Sequence, residues 1–153
     1  MFKQLLLGLV LVFGLSGCVT STGPGGASQP DYELIEIGSM AAMAVLVNEI
    51  KISDTNLLAT YTRLSVLHTT LLCEVNCPPF NLELLEGMIT QSLPIEYKAL
   101  GVAAIRLIKS RANMYLDVKL PDSENIRMIK KISASVVFGM VQAMEPKVLS
   151  IRG

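Results

Sequence analysis

The chain has 153 residues with no tryptophan, four phenylalanines and four tyrosines, and equal numbers of acidic and basic side chains. Its 51% hydrophobic content excludes a disordered chain, and so few aromatics exclude an aromatic sugar-binding platform. The zero net charge conceals a split: residues 31 to 96 hold nine acids against Lys51 and Arg63, a net −7, whereas residues 97 to 153 hold ten bases against four acids, a net +6. Halves so charged attract, either by folding on each other or by stacking between molecules.

Met1 to Gln4 carry one charge, Lys3, and Leu5 to Leu15 form an apolar run well short of the roughly 20 residues a membrane span needs. This is the pattern of an export signal. The run leads into Leu15, Ser16, Gly17 and Cys18. That segment resembles the lipobox of bacterial lipoprotein precursors, where small residues admit the signal peptidase and the cysteine thiol takes the lipid. The resemblance covers residues 1 to about 20. It implies a signal peptide over 1–17, a covalent diacylglycerol and N-acyl chain (palmitate class) on Cys18, and no other cofactor. Val19 follows where an inner-membrane lipoprotein would, by the same resemblance, carry Asp, so the implied location is the outer membrane, on its periplasmic face.

Residues 18–30 then form a lipidated cysteine and a linker rich in Gly, Pro, Ser and Thr, with neither charge nor apolar periodicity. About a dozen such residues reach an average of roughly 20 Å. A helical domain is expected over residues 31–153. Its first helix, about Asp31 to Ile50, opens on acids, as the helix dipole favours, and is small and apolar almost all round from Gly38 to Val47. Such a helix is central in a domain or lies in an interface, and Gly38 and Ala42 are spaced for a close crossing.

The second helix starts at Ser53 or Asp54 and carries a stripe of Leu57, Tyr61, Leu64, His68 and Leu71, leaving Thr60 off it. The third runs from about Asn81 to Leu93 with Pro94 as its stop. The fourth covers about Ile95 to Tyr115, and residues 116–121 read as a short extended connector. The fifth covers about Asp122 to Met144, with Pro146 closing it. The fold class is therefore all-α, a compact bundle of about five helices.

Cys73 and Cys77 are an even pair in an exported chain and lie just before Pro78 and Pro79. Residues four apart in a helix have α-carbons roughly 6 Å apart, which a disulfide tolerates. A disulfide is expected there, pinning one interhelical turn. A metal site using His68 with both thiolates lacks paired CxxC spacing and a fourth ligand, and no metal is expected.

No enzyme is expected. The single histidine sits on an apolar stripe, no Gly-x-Ser-x-Gly, Walker loop, GxGxxG or HExxH motif occurs, and Glu83 with Glu86 reads as a solvated face. Nucleic acid is not a predicted partner, because the basic residues lack interleaved aromatics. Lys98, Arg106 and Lys109 on the fourth helix with Arg127, Lys130 and Lys131 on the fifth are a candidate docking surface for an acidic partner or phospholipid heads.

The expected function is that of a membrane-anchored, non-enzymatic structural or assembly subunit of a cell-envelope complex, with an envelope protein or a homo-oligomer as partner. In general plan such a lipoprotein resembles the pilotins, which carry secretin subunits to the outer membrane, though no pilotin motif is matched by residue. A phage- or plasmid-encoded exclusion or lysis lipoprotein is the other alternative.

Overall fold

Three capping side chains set the starts of the first three helices in the structure, a computed structural model that describes residues 30–74, 77–115 and 122–153. Asp31 accepts from the Leu34 amide at 3.1 Å, Ser53 from the Asn56 amide at 3.2 Å and Asn81 from the Leu84 amide at 2.6 Å. Each satisfies an amide that a helix N-terminus leaves without an internal acceptor. The helices so begun are α1 (Tyr32–Glu49), α2 (Asp54–Leu71) and α3 (Leu82–Ser92). Pro94 opens a 3-10 turn over Ile95–Tyr97, which runs into α4 (Lys98–Tyr115), and α5 (Asp122–Arg152) completes an all-α bundle.

α5 is the spine. Its 31 residues extend about 46 Å, and α1, α2 and α4 all pack against it, while α3 bridges α2 and α4. The core it organises is aliphatic and methionine-rich, with Met43, Leu64, Ile89, Ile108, Ile132 and Met140 all fully buried. Each such side chain contributes roughly 1.5–3 kcal/mol by leaving water. Cross-links give the directions. Ser39 lies against Ser135 and the Val47 carbonyl against Lys147, so α1 runs with α5. Along α2 the order reverses: Tyr61 meets Arg152, His68 meets Phe138 and the Cys73 carbonyl meets Lys130.

Two expectations are corrected. Pro146 does not close α5, which continues to Arg152. Pro146 and Gln142, whose carbonyl loses its intrahelical donor, are both exposed, so the break lies on the solvent side of the helix. The turns beyond are held by buried Val148 and by Lys147 Nζ, which donates to the Val47 carbonyl at 3.0 Å. On α2 the buried stripe is Leu57, Thr60, Leu64, Leu67 and Leu71, with Tyr61 and His68 half-buried at its edge. Thr60 is accommodated because its hydroxyl donates to the Asn56 carbonyl at 2.7 Å. The α1–α5 crossing is also brought close by Gly139 of α5. A β-carbon there would overlap the Glu36 carbonyl oxygen and Ser39 Oγ and would lie 2.8 Å from the Met40 amide nitrogen. The signal, Cys18, the tether and the connector at 116–121 lie outside the described residues.

Candidate functional site

The tight α1–α5 crossing brings polar groups of two helices together inside the bundle. Ser39 Oγ donates within α1 to the Ile35 and Glu36 carbonyls, at 2.9 and 3.0 Å, and faces the Ser135 carbonyl at 3.5 Å. Ser135 Oγ donates to Glu36 Oε1 at 3.2 Å. On the neighbouring helix the His68 ring stacks on Phe138, with centroids 4.8 Å apart and planes 22° from parallel. Burial lowers the His68 pKa below its ordinary 6.5, opposed by the Glu36 carboxylate, which raises it. The imidazole is therefore neutral at pH 7.

Carboxylate, hydroxyl and imidazole thus share one region, but not as a nucleophile and its base. A serine nucleophile gives its proton toward the imidazole, whereas here the Ser135 hydroxyl is directed at Glu36. The hydroxyls close their own hydrogen bonds and join two helices. Among the described residues no three His, Cys, Asp or Glu side chains gather where they would hold a metal ion. Gly139, Ser135 and Phe138 were not singled out by sequence reasoning; Ser135 and Gly139, small residues four apart in α5, were the available signal.

Cys73 and Cys77 are disulfide-bonded, with α-carbons 5.6 Å apart, directly beyond the C-terminus of α2. Lys130 Nζ donates to the Cys73 carbonyl at 2.8 Å, so the same segment is also tied to the spine. Cation and helix end suit each other, because the last carbonyls of a helix carry partial negative charge.

The six basic residues divide by use. α4 and α5 are neighbours, as one basic surface would require. Lys130, however, is half-buried on the Cys73 carbonyl, and Lys109 is paired with Glu86 of α3 at 2.8 Å. Lys98 and Arg106 on α4, and Arg127 and Lys131 on α5, are exposed. Four side chains are therefore presented to solvent with no hydrogen bond or ion pair among the described residues. Glu83 and Glu86 are exposed as well, and Glu86 is the partner of Lys109.

No protein-family model, no curated protein and no solved structure matches the chain. Function is read from the residues and their arrangement alone. No helix among the described residues is long and apolar enough to cross a membrane.

Proposed function

We propose that the chain is an outer-membrane lipoprotein whose helical domain serves as a non-enzymatic structural or assembly subunit of a cell-envelope complex. The observation that carries the reading is the passage from the apolar run Leu5 to Leu15 through Ser16 and Gly17 into Cys18. An uncharged tether follows, long enough to hold the domain beside a membrane surface.

The domain supports a binding role over chemistry because its polar cluster is self-satisfied, while its unused groups are at the surface: exposed cations on α4 and α5 and exposed apolar side chains on α1. Exposed charge governs encounter and partner choice.

Radiolabelled palmitate tests the anchor. The wild-type chain, expressed in a Gram-negative host, should incorporate label and fractionate with the outer membrane, and Cys18→Ser should lose both. A wild-type chain that takes no label would sink the reading. The subunit role is tested by the native mass of the lipidated protein extracted from envelopes, where a lone monomer would count against it.

A further inference from the structure

α1 buries one face on α5, and among the described residues its opposite face is exposed or only partly covered. That outer face reads Leu34, Ile37, Ala41, Ala44 and Asn48, spaced 3, 4, 3, 4, with Ile37 49% and Val45 46% exposed. The spacing is that of a seam made to lie against another helix. α1 carries Glu33, Glu36 and Glu49 and no base within its length.

A second outward seam runs along the 3-10 turn and α4: Ile95, Ala99, Val102, Arg106 and Lys109, spaced 4, 3, 4, 3. Ile95 is 74% and Val102 48% exposed, and exposed Lys98 and Arg106 flank them. The first seam is apolar with acids; the second is apolar with Lys98 and Arg106 along it, exposed Glu96 at its start and Lys109 already paired with Glu86 at its end.

We propose that the outer face of α1 docks on the outer face of α4 of a second copy of this chain, giving a head-to-tail assembly. Charge selects this occupant. Two α1 faces meeting each other would bring Glu33 and Glu49 against their own kind, and an anionic lipid surface would repel the same acids. The α4 face instead offers Lys98 and Arg106 beside apolar residues, and the small Ala41 and Ala44 allow close approach. Within one molecule α1 and α4 each take α5 as their main helical partner and turn these two seams outward, so the seams are free to match between molecules. Because the two surfaces differ, each added copy leaves one of each open, and the contact builds rings or chains.

The contact is one pair of helices about 27 Å long, a modest seam where a stable interface in dilute solution needs roughly 1,000 Å². Confinement to a membrane supplies the missing concentration. In this respect the inference rests on the lipoprotein reading; the surfaces themselves do not.

Cysteine crosslinking of the full-length chain in intact cells tests it, using exposed Val102 and half-buried Ala41 at the midpoints of the seams. The chain carrying both Ala41→Cys and Val102→Cys should give an oxidative ladder of dimers and higher species. Differently tagged single variants should crosslink only when Ala41→Cys is expressed with Val102→Cys, and adding Arg106→Glu should cut the yield several-fold. Dimers from Ala41→Cys alone, an adduct of Ala41→Cys with a different protein, or no crosslink at all would each overturn the proposal. Palmitate labelling of the same cells separates the two failures: a labelled chain that gives no ladder refutes the contact, and an unlabelled chain that gives one refutes only the anchor.

Discussion

Two glycine contacts between helices differ in what they touch. At the α1–α5 crossing Gly139 lies against backbone, the Glu36 carbonyl and the Met40 amide, whereas at the α3–α4 side Gly101 faces the Leu93 Cδ1 methyl, 2.8 Å from where a β-carbon would be. Backbone cannot move without dragging its helix; a terminal methyl can turn away. The first contact therefore determines how close two helices run, while the second merely fills space.

The largest test of that difference is Gly139→Ala. It should cost about 3 kcal/mol or more in urea unfolding followed by circular dichroism, because α1 must be pushed off α5. A loss under about 1 kcal/mol would show that the crossing is compliant.

The stack beside that crossing gives a pH signature. His68 takes its proton near pH 6.5 in the unfolded chain and at lower pH when folded, since burial opposes the charged ring more than Glu36 favours it. Between the two values the unfolded chain binds more protons, so stability falls as pH drops through that window and levels off beneath the folded value. Melting temperatures from pH 7.5 down to 5.5 should fall faster for wild type than for His68→Phe. Parallel curves would remove His68 as the cause.

On the α4 side, Tyr97 is completely buried and its hydroxyl has no hydrogen-bond partner among the described residues. Tyr97→Phe should leave stability unchanged or raise it by up to about 1 kcal/mol, since a buried hydroxyl without a partner is a desolvation cost. A clear loss would mean the hydroxyl is satisfied in solution. Lys109→Ala, which removes an exposed ion pair to Glu86, should cost no more than about 0.5 kcal/mol and less at high salt. Gly101→Ala should be smaller still. The gain of about 1 kcal/mol from replacing glycine within a helix offsets the displacement of Leu93 Cδ1. If it proved as damaging as Gly139→Ala, the contrast between the two contacts would disappear.

Much of the helical layout was legible because its signals are local. Asp31, Ser53 and Asn81 each cap an amide three residues ahead, and Pro94 stops α3 by its own geometry. The buried stripe of α2 was read partly amiss for the opposite reason: whether Tyr61 or Thr60 points inward depends on where α5 lies across it. Of the candidate docking residues, all six were visible as basic, but nothing nearby in the chain indicated that Lys130 would reach Cys73 or Lys109 would reach Glu86.

By itself, then, the sequence determined the helix starts, the aliphatic character of the core, the separation of acidic from basic halves and the Leu-Ser-Gly-Cys segment that carries the functional proposal. Only the tertiary structure decided that α1 runs with α5 while α2 runs against it, that α5 passes through Pro146, and that one face of α1 is turned away from the described helices. Capping and proline geometry act within a few residues, whereas the contacts between Ser39 and Ser135, Glu36 and Ser135, and Val47 and Lys147 join positions 96, 99 and 100 residues apart. Such pairs exist only once the helices have packed, and in this chain the packing turns on the missing side chain of Gly139.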